Sequence, residues 1–251
     1  MRKIFIGDVH GCLAELQALI EKLNLSTQDE VIFVGDLLDK GPDSPGVVRF
    51  VRELAQSFHV VLVKGNHEWK HERFRKKFLS GDIDGAMAMK GAPEIREITE
   101  ALSPEDMAFL DAAPGFHRTG NHLVVHAGIP GSMGSLPDSP DMTGVSSKVR
   151  ASFEQIMMCR FIRQDTGKMI PLGSENPEDP FWADAHDGRF GRVVFGHEAF
   201  TEGPRITPHA IGIDTGCVFG GSLTALVVEG EVESFVSVPA KKAWASRRHE
   251  D

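Results

Sequence analysis

The stretch that decides the fold is Val31-Ile32-Phe33-Val34-Gly35-Asp36-Leu37-Leu38-Asp39-Lys40-Gly41-Pro42. The first four residues, apolar and mostly β-branched, read as a buried strand. Two carboxylates three positions apart leave that strand's end, and Gly41-Pro42 closes the turn. Open α/β sheets place their ligands at the carboxyl ends of strands. An isolated aspartate there is ordinarily a turn cap, but Asp36 has company. Upstream, Gly7-Asp8-Val9-His10-Gly11 follows the strand-like Ile4-Phe5-Ile6. Downstream, Gly65-Asn66-His67-Glu68 follows Val60-Val61-Leu62-Val63. Three strand ends in succession deliver Asp and His, Asp and Asp, then Asn and His. All are types that bind metals or move protons.

The segments between these strands carry helical spacing. Leu13, Leu16, Leu19, Ile20 and Leu23 share one face, as do Val47, Val48, Val51 and Leu54 after Pro42-Asp43-Ser44. The result is β-α-β-α-β, which predicts a parallel sheet with right-handed crossovers. Residues 68–79 read as a helix with Lys70, Arg73 and Lys77 on one face and Phe74 and Phe78 on another. Such a charge run is ordinarily a solvated face; a rim that attracts an anionic substrate is the alternative. A short helix is predicted near 93–102. Another starts at Ser103-Pro104-Glu105-Asp106, which has the form of a capping box with proline in the first turn.

From residue 116 the pattern turns to strands: a hairpin over 116–126, then strands at 192–196, 210–213, 223–228 and 232–238. A helix is predicted over 149–159. Residues 129–148 and 164–182 read as long loops, which in a compact domain are usually functional. The expected fold class is α/β (of the α+β kind): two packed β-sheets flanked by helices, in one domain over residues 1–240. Residues 241–251 read as a polar, frayed tail.

Composition sets limits. The chain has 251 residues, 41% hydrophobic and 25% charged, an ordinary globular balance. A formal net charge of -9 argues against a broad nucleic-acid-binding surface. The three cysteines, Cys12, Cys159 and Cys217, form no CxxC pair and imply no disulfide framework. The N-terminus runs straight into a strand and no apolar run reaches 18 residues, so the expectation is a cytoplasmic protein with no membrane span.

Two more histidines end strands: His126 in Val124-Val125-His126-Ala127-Gly128 and His197 in Val193-Val194-Phe195-Gly196-His197. The order Asp-x-His, Gly-Asp-x-x-Asp, Gly-Asn-His-Glu, His-Ala-Gly, Gly-His resembles the calcineurin-like metallophosphoesterases, in their phosphoprotein phosphatase branch. Ile213-Asp214-Thr215-Gly216-Cys217-Val218-Phe219-Gly220-Gly221 looks like the C-terminal segment of a bacterial subgroup. That subgroup takes in PrpE-like bis(5'-nucleosyl)-tetraphosphatases and the phosphatases of RNA repair. The resemblance covers residues 3–79, 116–128 and 192–238, and implies a four-layer sandwich with a metal site at strand ends. The uncovered loops, 129–182, are expected to hold substrate specificity.

The resemblance implies two metal ions. Asp8 and His10 match the ligands of the first, Asn66, His126 and His197 those of the second, and Asp36 the bridge between them. A set of oxygen and nitrogen donors without thiolate suits Mn²⁺, Fe or Zn²⁺. Two ions about 3.5–4 Å apart activate water and clamp the oxygens of an in-line displacement. His67 matches the general acid, Asp39 the carboxylate that orients it, and Asp214 an active-site aspartate of the RNA-repair phosphatases. Lys40 stands where the family usually has arginine, and Glu198 where many members have threonine. Arg160, Arg163 and Arg205 are the candidates for a compensating phosphate contact.

The expected partner is a phosphorylated substrate. A nucleotide or RNA end is favoured over a phosphoserine or phosphothreonine protein; an inactive metal-binding scaffold is the reading from another class. Phe181-Trp182 reads as an aromatic pair in ordinary core packing; stacking on a base at the pocket mouth is its alternative.

Overall fold

The computed structural model describes residues 2–246. Strand β1 (Lys3–Ile6) runs parallel to β2 (Glu30–Phe33), and β2 runs parallel to β3 (His59–Leu62). Helix α1 (Leu13–Leu23) joins the first two and α2 (Ser44–Leu54) the next. Their apolar faces bury Leu16, Leu19, Leu23, Val47, Val48 and Val51 against one side of the sheet. Asn24 ends α1 in the left-handed region, at φ 45°. Asp43 starts α2 by accepting a hydrogen bond from the Gly46 N–H.

Helix α3 (Asn66–Leu79) leaves directly from the third strand's loop. It shares a small separate core, built on Phe74, Ala86, Ala92 and Ile95, with α4 (Ile83–Met87) and α5 (Ala92–Ala101). Phe74 and Phe78 stack with ring centroids 5.6 Å apart. The α4 turn has no counterpart in the sequence reading, because five residues are too few to show a period. Helix α6 (Pro104–Asp111) has the capping box that its sequence predicts, with Ser103 and Asp106 bonded reciprocally.

The second sheet has the order β4 (His117–Thr119), β5 (His122–Val124), β6 (Arg192–Phe195), β8 (Ala210–Gly212), β7 (Arg205–Ile206). Its β5, β6 and β8 are parallel, so their carboxyl ends lie along one edge. Helix α7 (Ser147–Met158) covers the outer face of this sheet with Phe153, Ile156 and Met157. The two sheets meet through Phe5, Ile32, Val34, Val63, Val124, Val194, Ile211 and Leu226. Helices, sheet, sheet, and helix with loops make four layers, the α/β sandwich that the sequence predicts.

The sheets do not divide where the chain's style changes. Strands β9 (Ser222–Glu229) and β10 (Val232–Pro239) cross back to the first sheet, where β9 pairs antiparallel with β1. The final segment also departs from expectation. Trp244 and Ala245 donate backbone hydrogen bonds to the Val218 carbonyl, and Trp244 packs on the first core. Residues 241–246 are therefore docked rather than frayed, while the rest of the expected tail, 247–251, lies outside the described residues. No described helix is long and apolar enough to cross a membrane.

Candidate active site

The loops that leave β1 and β2 are knitted together before any side chain is considered. Val9 and His10 donate backbone hydrogen bonds to the Asp36 carbonyl, and Gly11 donates to that of Leu37. Across this knot Glu68 accepts from the backbone N–H groups of Asp36 (2.8 Å), Leu37 (2.9 Å) and Gly65 (3.0 Å). One buried carboxylate thus holds both the Asp36 turn and the start of α3. Gly65 has no alternative here: a Cβ on it would lie 2.1 Å from Asp36 Oδ1. Gly196 is under the same constraint, 1.9 Å from Asp8 Oδ1.

Five non-glycine residues of the site have positive φ: His10 (43°), Asp36 (53°), Asp39 (69°), Lys40 (65°) and His197 (69°). Side chains other than glycine avoid this region, and such residues persist only where the surroundings over-determine them. Here the backbone turns sharply so that the side chains converge.

Asp36 lies at the centre of that convergence. Its Oδ2 is 3.6 Å from His10 Nε2, 3.2 Å from His126 Nε2 and 3.9 Å from His67 Nε2. Asn66 Oδ1 lies 2.9 Å from both His126 Nε2 and His197 Nδ1. Two groups able to hold a metal ion result, His10–Asp36–His67 and Asp36–His126–His197, and Asp36 belongs to both. Asp8 Oδ2 accepts from the His197 backbone N–H at 2.9 Å, while its Oδ1 is buried with no partner. His10 and His126 turn Nδ1 to the carbonyls of Leu38 (2.7 Å) and Val34 (3.0 Å), which leaves each Nε2 facing inward.

The donor chemistry fits cations. Asn66 Oδ1 accepts, as do the carboxylates of Asp36 and Asp8 when ionised, and they crowd imidazole nitrogens that can serve as ligands. Burial, and next the Lys40 ammonium, hold His10 well below the ordinary imidazole range; burial and then Arg160 do the same to His197. Both rings are therefore neutral, as ligation requires. Burial, and then the charge of Asp214, push Asp8 well above the usual carboxylate range. Burial opposes a charge on His126, yet Asp36 outweighs it and raises that imidazole to about 9. A proton on His126 thus balances Asp36 wherever a cation does not.

His67 and Asp39 form a second feature beside the first. Asp39 accepts from His67 Nδ1 at 2.5 Å and from His71 Nε2 at 2.7 Å. His71, fully buried one helical turn beyond His67, is absent from the sequence reading, although its i, i+4 spacing from His67 was visible there. The Asp39 N–H donates to Ser44 Oγ. His67 Nε2 is left facing Asp36 and the cleft.

The remaining candidates separate. Lys40 Nζ is 3.2 Å from His10 Nε2, so its charge reaches the site. Arg160 reaches it too: it bonds Glu198 at 2.9 Å and its charge acts on His197. Asp214 is buried close enough for its charge to act on Asp8, and it accepts from the Gly216 N–H. Arg163 instead pairs with Asp179 and the Ser174 carbonyl, closing its own loop. Arg205 pairs with Asp184 and lies over the rings of Phe181 and Phe200. Neither arginine is placed to grip phosphate at the site. Phe181 and Trp182 are 9% and 0% exposed and pack on Phe195 in the outer core, so they stack protein rings and not a base.

Comparisons with known proteins agree with this geometry. Residues 1–201 match the family model of the calcineurin-like phosphoesterases. The chain is 32% identical to a bis(5'-nucleosyl)-tetraphosphatase PrpE, of the asymmetrical type, from Halalkalibacterium halodurans, over 97% of this chain and 96% of that one. It is 29% identical to a symmetrical bis(5'-nucleosyl)-tetraphosphatase from Methylococcus capsulatus, over 94% of each. A crystal structure of a candidate diadenosine tetraphosphatase superposes with a TM-score of 0.70 at 28% identity, covering 95% of this chain and 93% of that one.

Proposed function

The chain belongs to the calcineurin-like phosphoesterase family, and from that membership we propose that it hydrolyses a phosphoanhydride bond of a dinucleoside polyphosphate. The observation that carries the reading is Asp36: one buried carboxylate shared by two groups of potential ligands, the first of which includes His67. Similarity along the whole chain to enzymes named for bis(5'-nucleosyl) tetraphosphates supports the substrate class.

We assign Asp8 and His10 to a first metal ion, Asn66, His126 and His197 to a second, and Asp36 to both. When bound, such a pair supplies an activated water and neutralises charge on the phosphoryl oxygens. Mn²⁺ is the ion of choice for reconstitution, with Fe or Zn²⁺ as alternatives from the donor set. Arg160 and Lys40 both bring their charge to the site and add it where the transferred phosphoryl group develops negative charge. Glu198 fixes the Arg160 guanidinium. In hydrolysis the water oxygen bonds to phosphorus and releases one proton to solvent, and the bridging P–O bond breaks, its electron pair going to the leaving oxygen. His67 delivers the proton from Nε2 to that oxygen, and Asp39 keeps Nδ1–H engaged so that Nε2 is the nitrogen that presents the proton. Asp214, against Asp8, orients the first ligand set.

The three cysteines are buried and unbridged, which suits the reducing cytoplasm that we assign. The test is a comparison of kcat/KM at matched metal and pH. Diadenosine tetraphosphate is expected to exceed a phosphoserine peptide by about tenfold or more, with activity lost to a chelator and restored by Mn²⁺. A peptide that wins the comparison replaces this reading with that of a protein phosphatase.

A further inference from the structure

A cleft of about 690 Å³ opens beside His67, between the loop that carries Asp39 and Lys40 and the α3–α5 pair. We propose that this cleft holds the leaving half of the substrate as a nucleoside polyphosphate, with Lys70 and Lys90 binding its phosphates. This rests on the nucleotidic reading above and deepens it.

Position is the first argument. A general acid must stand within hydrogen-bond reach of the oxygen it protonates. The cleft is lined by His67, Asp39 and Lys40, while His126 and His197 are not part of its wall. Whatever is attached to the leaving oxygen therefore emerges into this cleft, whose lining does not include Arg160 or Glu198.

Charge is the second. Lys70 follows His67 by three residues on α3, so it shares that face about 4.5 Å farther along the helix axis. Lys90 sits on the opposite wall, at the start of α5. The two walls approach closely, because a Cβ on the neighbouring Gly91 would lie 3.2 Å from Lys70 Nζ. With Lys40 at the inner end, three ammonium groups line one cleft of a protein whose net charge is -9. Asp39, Glu94 and Glu97 also line it, and the Glu94 carboxylate lies near Lys70, 3.9 Å from the same Gly91 Cβ position. Glutamates can accept from the hydroxyl groups of a ribose held between these lysines. A phosphoserine peptide or p-nitrophenol, once cleaved, carries no further phosphate for Lys70 and Lys90 to bind.

The lining also explains how a base is accommodated. No phenylalanine or tryptophan lines the cleft among the described residues; Ile95, Ile98 and Ala101 supply an apolar wall instead. The cleft therefore recognises phosphates and tolerates any base, and its volume lies within the range of small-ligand sites. Lysines suit such a task, since a compact ammonium on a flexible stem follows a bending phosphate chain without demanding planar geometry.

The experiment measures the ratio of kcat/KM for diadenosine tetraphosphate to that for p-nitrophenyl phosphate in Mn²⁺ enzyme. The Lys70→Ala/Lys90→Ala variant is expected to lower this ratio about 100-fold, at roughly tenfold per charged contact. Lys77→Ala, which removes an equal charge paired with Asp82 on the surface, keeps the ratio. A second measurement needs no variant: ATP should inhibit p-nitrophenyl phosphate turnover by the wild type at least about tenfold more tightly than AMP. An unchanged ratio in the double variant, or equal inhibition by ATP and AMP, overturns the cleft assignment while the substrate reading stands. Wild-type enzyme that turns over p-nitrophenyl phosphate and leaves diadenosine tetraphosphate intact overturns both.

Discussion

Asp39 accepts hydrogen bonds from two imidazoles at once, and this decides what it can do. Burial works to raise its pKa, but the bonds from His67 and His71 outweigh burial and hold the carboxyl well below its ordinary range. A group so strongly ionised is an anchor for His67 and not itself a proton donor. His67→Ala should lower kcat by about 10²–10⁴ for substrates with a poor leaving group. The loss should shrink for p-nitrophenyl phosphate, whose leaving group needs no proton; equal losses on both would contradict the acid role. Asp39→Asn should follow His67→Ala in this leaving-group pattern. The sign of the linkage is fixed by the depressed pKa. The stability that Asp39 contributes is present above its ordinary value of 3.8 and is lost as pH falls toward the folded value.

At the scale of elements, each ligand-bearing loop could be read locally, because a strand, a glycine and an Asp, Asn or His lie within a few residues of one another. What could not be read so is what the loops do to each other. Glu68 was visible only as the last letter of Gly-Asn-His-Glu, yet three positions after the N-cap Gly65 it reaches back and accepts from the Gly65 N–H. From that place it also accepts from the Asp36 and Leu37 N–H groups. Glutamine in its place turns one accepting oxygen into an NH₂ donor against backbone N–H groups. Glu68→Gln is expected to destabilise the fold by about 1–3 kcal/mol and to weaken metal retention measured by elemental analysis after dialysis. Full retention and an unchanged unfolding midpoint would show that the brace is dispensable. Phe181-Trp182 was open for a different reason: an aromatic pair at the end of a loop has the same sequence signature whether it faces a pocket or a core, and it lies in the core, the reading its sequence favoured. The Lys70–Lys90 cleft was equally unreadable, since its far wall depends on how α5 docks beside α3.

Across the whole molecule, two packed sheets with helices were legible because strand runs separate cleanly from helical faces, while the four-layer order was implied only by the family resemblance. The membership of the sheets was not. Nothing in Ser222–Glu229 states that it will lie beside Lys3–Ile6, and antiparallel pairing between segments so far apart has no local signature. The docking of the last described residues was hidden likewise. Trp244 is half-buried on the first core, with the Lys242 ammonium 3.9 Å from its ring centroid. Trp244→Ala should lower stability by about 2 kcal/mol, seen as a fall of about 4–8 °C in Tm. A Tm unchanged to within a degree would mean that this segment contributes nothing.

The pairing of β1 with β9 also sets a timetable for biosynthesis. Strand β1 is synthesised more than 200 residues before β9, and one of its edges stays open until Ser222–Glu229 is made. At about 5–20 residues per second that interval is roughly 10–40 s. Throughout it the nascent chain carries the unpaired edge of a buried strand, a template for joining another chain. The side chains that converge on Asp36 range along the chain from His10 through His67 and His126 to His197, so the pocket closes late in synthesis as well. A ribosome stalled before Ser222 therefore holds a chain whose first sheet lacks β9 and whose β1 edge is still open.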